Sequence, residues 1–429
     1  MKRIMANMEA IRRDYYRRYK GYKELMSIID YQYVMESGDF SRRNKKISDL
    51  IQSVQKKVPA YKGKEFCNLE DFPLISKKDI RDNYSSYLSE NLDIRQCFKS
   101  HTSGSTGTPF YFYRHRDAVM LDQVFKDKFF EYAGSSIYKN KVRISGINII
   151  PFYIEDPPFW VYIDKYKQLQ CSAYHVNDKT AKVYCDAMFK YEVEYGTGYA
   201  KTWLFLADGI RKSNLHPPKL KFIVTDSEGI TKSQQLFVES VFNCPVYQTY
   251  GLSEVAQIAV QCRKGNYHII PDLTFVEILP FDQYDGQDDV GEIVITTLTT
   301  DQTPLIRYRT GDLGKLGIGE CGCGIKTQYL TKLIGRTDDY IIVNGRKISR
   351  LGHIVASSEG IVASQIIQLD DSHIVIRLIP DKSFSQSTVE KIRENAKPYI
   401  GNLNIKFETS KDLERDKSGK IKYIIRKFD

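Results

Sequence analysis

The stretch His101-Thr-Ser-Gly-Ser-Thr-Gly-Thr-Pro-Phe110 interleaves the hydroxyl side chains of Thr102, Ser103, Ser105 and Thr106 with Gly104 and Gly107. Glycines let backbone amides approach an anion closely and hydroxyls add donors, so a loop of this composition can hold phosphate oxygens. No Lys-Ser or Lys-Thr follows the second glycine, which separates it from the P-loop of nucleoside triphosphatases. Read alone it is equally an ordinary polar loop. Its meaning depends on the chain around it.

Outward from that loop the chain alternates. Upstream, residues 1–58 read as helical, with Ile4, Met8, Ile11 and Tyr15 on one face and Lys2, Arg3, Arg12, Arg13, Arg17 and Arg18 around them. Such a basic amphipathic helix can rest peripherally on a membrane surface or pack one face on its own domain. Ser76 is placed to cap a helix running on toward the loop. Downstream, 116–133 reads as a helix, and 142–154, 221–225 and 245–249 read as buried strands alternating with helices. The pattern predicts an α/β sheet. Gly196-Thr-Gly198 and Ser227-Glu-Gly229 fall where these elements end, which is where open α/β sheets bind ligands.

Tyr247-Gln-Thr-Tyr-Gly-Leu-Ser-Glu254 reads as a strand ending in a glycine turn, followed by a hydroxyl and a carboxylate. That pair suits a phosphate and its Mg²⁺, or equally a helix N-cap. Residues 274–279 and 292–298 alternate as strands. Leu305-Ile-Arg-Tyr-Arg-Thr-Gly-Asp312 reads as a strand ending in an acid, able to accept hydrogen bonds from a ribose diol or to close a turn. Cys321-Gly-Cys323 is a tight thiol pair, and Cys262 and His268 stand upstream with Gly265 between them. Together they make a Cys₃His set of the kind that holds structural zinc, its halves bridged by the strands at 274–279 and 292–298; otherwise they are four unrelated reduced residues.

Beyond Leu333-Ile-Gly-Arg-Thr-Asp-Asp339 the composition shifts. Tyr340–Val343 and Lys347–Ser349 flank Asn344-Gly345, a hairpin signal. A helix near 350–358, strands near 361–369, 373–379 and 403–408, and a helix opened by Ser387 with Glu390 as capping box complete a small α+β unit. The expected division is 1–337 and 338–429. The chain closes on Asp416-Lys-Ser-Gly-Lys-Ile-Lys422, a glycine loop able to present Lys420 to a phosphate, or a solvated basic tail.

The 429 residues exceed one typical core. A hydrophobic fraction of 42% fits a globular protein, and no apolar run is long enough to span a membrane. Without an apolar signal core at the start, the expected location is cytoplasmic, and the 8 cysteines then read as reduced thiols or metal ligands. A net charge of +10 suits an anionic substrate such as a nucleotide. No zinc-finger spacing, arginine tract or RNA-binding aromatic signature points to nucleic acid as a partner.

In order and spacing these pieces resemble the adenylate-forming (acyl-CoA synthetase-like) superfamily, and more narrowly its phenylacetate–coenzyme A ligase branch with relatives encoded among capsular polysaccharide genes. The matching stretches are Thr102–Pro109, Tyr250–Glu254, Tyr308–Asp312, Gly335–Asp339 and Ser418–Ile421. Val58-Pro-Ala-Tyr61 and Phe72–Arg81 also look like that branch.

The resemblance implies a large α/β domain, a small mobile C-terminal α+β domain and an ATP- and Mg²⁺-dependent ligase releasing AMP. It implies that 102–107 wraps the triphosphate and that Ser227, Glu228 and Tyr250 frame the adenine. Ser253 would contact the α-phosphate, Glu254 would hold Mg²⁺, and Asp312 and Arg336 would bind the ribose. Asp338 would be the hinge and Lys420 would stabilise the adenylation transition state. Zinc on residues matching Cys262, His268, Cys321 and Cys323 is also known in that branch. After Gly345, which would line an acceptor channel, this chain reads Arg-Lys-Ile-Ser-Arg where the phenylacetate enzymes share an apolar segment with a proline. The partners implied are a small carboxylic acid and an acceptor, either coenzyme A or an amine such as an amino sugar. A non-catalytic scaffold in a polysaccharide pathway would carry damaged nucleotide motifs, and a kinase would carry a Walker loop or kinase signature.

Overall fold

The computed structural model describes residues 7–8, 17–18, 20–101, 111–147, 149–150, 154–280, 290–336, 340–343, 346–349, 355, 360–400, 403–415 and 421–428. In chain order the helices are α1 (Tyr22–Ile28), α2 (Tyr31–Glu36), α3 (Ser41–Lys57), α4 (Lys77–Asp82), α5 (Arg116–Tyr132), α6 (Ala181–Lys190), α7 (Ala200–Lys212), α8 (Lys232–Phe242) and α9 (Gln386–Ile400). The strands of the first half are β1 (Cys97–His101), β2 (Tyr111–His115), β3 (Lys141–Ser145), β4 (Trp160–Ile163), β5 (Gln168–Ser172), β6 (Tyr195–Tyr199), β7 (Ile223–Asp226), β8 (Val246–Leu252), β9 (Ala256–Gln261) and β10 (Tyr267–Ile269). They continue as β11 (Thr274–Pro280), β12 (Gly291–Thr297), β13 (Tyr308–Leu316), β14 (Tyr329–Arg336), β15 (Tyr340–Val343), β16 (Arg346–Ser349), β17 (Ile361–Gln368), β18 (His373–Pro380), β19 (Asn404–Thr409) and β20 (Ile424–Arg426).

One sheet runs in the order β11-β12-β13-β14-β10-β9-β8-β7-β6-β3-β5-β4. From β5 to β8 its neighbours are parallel, with β4 antiparallel at the edge. From β8 to β11 they are antiparallel. Strand β8 joins the halves: Val246–Gln248 pair parallel with β7, and from Thr249 the strand pairs antiparallel with β9. Helices α6, α7 and α8 cover one face of the parallel half, packing on Val142, Ile144, Ile223 and Val246. The other face, with Tyr195, Phe222 and Val224, lies under α5, α1 and α2. Two covered faces explain why these strands read as continuous apolar runs. A separate sheet, β19-β18-β17-β20, carries α9 through Ile392, Ala396 and Ile400. The molecule is thus mixed α/β, with a large sheet domain and a separate C-terminal α+β domain.

Several local expectations are met. Ser76 caps α4, accepting from the Asp79 amide while Asp79 accepts from the Ser76 amide, a reciprocal capping box. That helix is short, however, and ends at Asp82 well before the glycine-hydroxyl loop. Of 1–58, the described residues hold the three helices α1, α2 and α3, as the helical reading expects. The basic amphipathic stretch before Tyr15 lies outside the described residues apart from Asn7 and Met8. Strand β3 stops at Ser145, short of the run expected to 154. Helix α9 opens at Gln386, so Ser387 stands inside its first turn, where its hydroxyl meets that of Ser385 at 2.8 Å. Strands β15 and β16 pair antiparallel with Val343 opposite Arg346, while Asn344 and Gly345 between them lie outside the described residues. Among the described residues no helix is long and apolar enough to cross a membrane.

Candidate functional site

The turn from β8 to β9 carries Gly251, Ser253 and Glu254. It is a β-hairpin turn, so Ser253 and Glu254 do not cap a helix. A Cβ on Gly251 would lie 2.3 Å from the Ala256 carbonyl oxygen, so only glycine allows this close approach. Buried Tyr250 donates its hydroxyl to Asp312 Oδ2 at 2.8 Å. Tyr308, also buried, donates to Glu254 Oε1 at 2.8 Å. Asp312 does not end a strand as expected: it sits in the middle of β13, opposite Arg336 of β14. Its register and these two hydrogen bonds bring Tyr250, Glu254 and Asp312 together from stretches about sixty residues apart, 62 for the first bond and 54 for the second. Tyr308 belongs to a recognisable stretch, but nothing in the sequence assigned it the carboxylate of Glu254.

Next to β8, β7 ends at Asp226, and Ser227 follows with φ +71°, exposed. Glu228 Oε1 accepts from the Lys201 amide at 2.9 Å, which fixes it to the first turn of α7. On the other flank, β1 and β2 pair so that His101 stands opposite Tyr111, closing the stem of the segment between them. Thr102, Ser103, Gly104, Ser105, Thr106 and Gly107 themselves lie outside the described residues. The stem is tied to the β8–β9 turn through buried Asp122 of α5, which accepts from the Gln257 amide at 3.1 Å and lies 3.5 Å from the Arg114 guanidinium.

Lys420, Asp338 and Gly345 also lie outside the described residues. The flanks of Lys420 do not: Arg415 and Ile421 form a bridge across 416–420. Leu413 and Ile421 pack in one cluster with Trp203, Leu204 and Phe205 of α7, and the Arg415 guanidinium lies over the Phe205 ring at 5.9 Å. The residues on either side of 416–420 are therefore seated on the helix that starts at the end of β6.

A second constellation stands in the antiparallel half. The ligand atoms of Cys262, His268, Cys321 and Cys323 all lie within 4.8 Å of one another. Cys262 Sγ and Cys321 Sγ are 3.7 Å apart, and Cys323 Sγ is 3.2 Å from His268 Nε2. Tetrahedral zinc with sulfurs at about 2.3 Å sets sulfurs about 3.8 Å apart, so the donor set fits that ion. Burial holds His268 far below its ordinary value, at about 4, keeping the imidazole neutral, the form that ligates. Its Nδ1 faces Thr327 Oγ1 at 3.5 Å, and Asn266 Nδ2 donates to Cys321 Sγ at 3.1 Å. The strands at 274–279 and 292–298 do not bridge the halves. Strand β14 does: it lies beside β10 with His268 opposite Tyr329, and the β13–β14 loop delivers the two cysteines. All 8 cysteines are free of disulfides.

The sequence reading missed one pair. Arg143, in the middle of β3, donates both terminal nitrogens to Asp226 at 2.7 and 3.2 Å. Arg143 itself was marked, as a charge between apolar Val142 and Ile144, but nothing in the sequence marked its partner.

Comparison with known proteins gives a consistent result. A family model described as the CapK C-terminal domain matches residues 337–427. The chain is 27% identical over 431 residues to Protein CapK of Staphylococcus aureus, covering 96% of this chain and 92% of that one. It is 34% identical over 156 residues to the phenylacetate–coenzyme A ligase of Thermus thermophilus, covering 34% of each. Among solved structures, 2-hydroxyisobutyryl-CoA ligase in its postadenylation state superposes with a TM-score of 0.67 at 16% identity, over 90% of this chain and 88% of that one. The same ligase in an open conformation scores 0.52. The two-domain fold, the motif order and these relatives agree: residues 337–427 match the CapK C-terminal domain family, and the chain as a whole is similar to the adenylate-forming superfamily, in the branch that holds the phenylacetate–coenzyme A ligases and CapK.

Proposed function

We propose that this protein is an AMP-forming ligase that adenylates a carboxylic acid with ATP·Mg²⁺ and passes the acyl group to coenzyme A. The observation that carries this reading is the pair of hydrogen bonds Tyr250–Asp312 and Tyr308–Glu254. They draw Asp312 and Glu254 toward one glycine turn, and in this reading the first acid binds the ribose and the second binds Mg²⁺. In this reading Ser227, Glu228 and Tyr250 frame the adenine, Asp312 and Arg336 hold the ribose, Ser253 meets the α-phosphate, and 102–107 wraps the β- and γ-phosphates. The acid's carboxylate attacks the α-phosphorus and pyrophosphate leaves. Negative charge builds on the phosphate oxygens, so the protein acts by position and by fixed positive charge, the latter supplied by Lys420. The domain division at 337/338 then has a use: rotation about Asp338 withdraws Lys420 and opens the channel at Gly345 to the acceptor.

An amine acceptor, such as an amino sugar in surface polysaccharide synthesis, is the second reading. It is favoured by Arg346-Lys-Ile-Ser-Arg350 standing where the phenylacetate enzymes are apolar. Cys262, His268, Cys321 and Cys323 would hold one zinc, whose part is structural: four protein ligands leave no open position for chemistry. We place the protein in the cytoplasm, where ATP and coenzyme A are found and thiols stay reduced.

The test is pyrophosphate release from ATP·Mg²⁺ across a panel of small carboxylic acids, first without acceptor and then with coenzyme A. Acid-dependent release with AMP as co-product is the expected result, and thioester formation identifies the acceptor. Release without thioester moves the acceptor to an amine. ADP in place of AMP, or no release with any acid, overturns the adenylation reading.

A further inference from the structure

An adenylating enzyme must also hold the rest of the acid, and the parallel half of the sheet offers a place for it. Open α/β sheets bind ligands beyond the carboxyl ends of their strands, where neighbouring connections diverge. Here the divergence is at β3: the chain leaves it toward β5 on one side, then returns to β6 and proceeds to β7 and β8 on the other. The crevice is therefore floored by the ends of β3, β6 and β7.

Its roof follows from strand alternation. Val142 and Ile144 face α7 and α8, so Arg143 between them faces α5. Val224 packs in the α5 cluster, so Asp226, two residues on, faces α5 as well. The two meet there as a forked ion pair at 2.7 and 3.2 Å, spanning β6. Burial raises the Asp226 pKa, but the Arg143 guanidinium, the Ser227 hydroxyl donating to Oδ1 at 2.9 Å and, from α5 on the opposite wall, Lys126 together hold it below the ordinary carboxylate value; Lys126 is itself paired with Asp122 at 2.8 Å. The Arg143 and Asp226 side chains remain 28% and 32% exposed, so the crevice is open above them.

An apolar acyl chain laid on this pair would strip water from two charges and return nothing. A ligand carrying a single charge would meet one like and one opposite sign at once. A hydroxyl meets both: it accepts from the guanidinium and donates to the carboxylate. We propose, resting on the adenylation reading, that the acid adenylated is a hydroxy acid, and that Arg143 and Asp226 are the residues that select its hydroxyl. Sites built to hydrogen-bond a hydroxyl discriminate far more strongly against the deoxy analogue than apolar pockets discriminate by size.

The experiment uses stable acyl-adenylate mimics, with a sulfamoyl group in place of the phosphate. One set carries short acyl chains with a hydroxyl at successive positions, and the other carries the matching plain alkyl chains. Binding to the full-length protein is measured by calorimetry. At least one hydroxyacyl mimic is expected to bind about tenfold or more tighter than its alkyl counterpart, and the preference is expected to vanish in the double variant Arg143→Leu/Asp226→Leu. Asp226→Asn, which keeps the shape and most hydrogen bonds, is expected to reduce the preference without loss of fold. Tight binding of both sets without preference overturns the proposal and leaves adenylation standing. A preference that survives in Asp226→Asn and the double variant alike also overturns it. Binding of neither set overturns the adenylation reading, and the proposal with it.

Discussion

In the parallel half of the central sheet β3, β5, β6, β7 and the first part of β8 run the same way, so their ends gather on one rim. In the antiparallel half the strand ends alternate between rims. The parallel rim collects residues from distant parts of the chain with no special device. The antiparallel half cannot, and it contributes by two other means. Tyr308 and Asp312 reach the shared site from along β13, and Cys262, His268, Cys321 and Cys323 converge where hairpin turns meet. Position on a rim thus comes from topology in one half, and from register and side-chain clustering in the other.

The largest effect tests whether the small domain completes the parallel rim. Leu413 and Ile421 seat the ends of the 416–420 segment on α7, which begins where β6 stops. Lys420→Ala is expected to lower acid-dependent pyrophosphate exchange by about two to three orders of magnitude, the usual loss when a transition-state charge loses its donor. Acyl transfer from preformed adenylate should be spared. Normal exchange in the variant would separate the small domain from the chemistry.

The next effect belongs to the antiparallel half. Protein purified without added zinc is expected to carry about one zinc per chain. Stripping it, or Cys323→Ser, is expected to lower Tm by about 5–10 °C, from the loss of a cross-link between β10 and the β13–β14 loop. ATP binding measured below the new Tm should change little. Protein free of zinc with an unaltered melting curve would break the comparison on this side.

Two glycines with positive φ sharpen it further. A Cβ on Gly198, at φ +132°, would lie 2.0 Å from the Ile144 carbonyl, inside the β3–β6 pair. Gly265, at φ +91° beside the cysteine-histidine cluster, has nothing within 4 Å. Gly198→Ala combines overpacking with backbone strain and should destabilise the chain by about 3 kcal/mol. Gly265→Ala meets strain alone, about 1 kcal/mol. Equal melting shifts for the two would show that the parallel pair yields to accommodate a side chain.

What was legible in the sequence divides along the same line. The parallel half was read from apolar runs, because strands covered on both faces leave that mark locally. The order of motifs carried the family, and the Cys₃His set was visible in spacing alone. The connection that closes the set was not: hydropathy shows that β11 and β12 are strands, but not that β14 lies beside β10. Asp312 was read as a strand end because a glycine and an acid usually stop a strand. Here Gly311 and Asp312 are carried through β13, with the Tyr250 hydroxyl and the Thr310 side chain satisfying Asp312. The Arg143–Asp226 pair was invisible because its members lie 83 residues apart, and only sheet order brings them together.

The smallest effect tests the strand that belongs to both halves. Tyr250 stands where β8 has turned from parallel to antiparallel pairing, and its hydroxyl binds an acid of β13, across the site from the parallel rim. Tyr250→Phe keeps the ring that would frame adenine and removes only the donor to buried Asp312. Losing a hydrogen bond to a buried carboxylate costs about 1–2 kcal/mol. If the hydroxyl serves to aim Asp312 at the ribose, that cost falls on nucleotide binding: KM for ATP should rise about five- to thirtyfold, with kcat nearly unchanged. Tyr308→Phe is the counterpart, because its hydroxyl bonds Glu254, the acid that in the proposed reading stands beside the reacting phosphate, and its loss should fall on kcat. The two variants move different constants only if the antiparallel half positions ribose and phosphate through separate side chains. If both move the same constant, β13 holds the two acids as one unit.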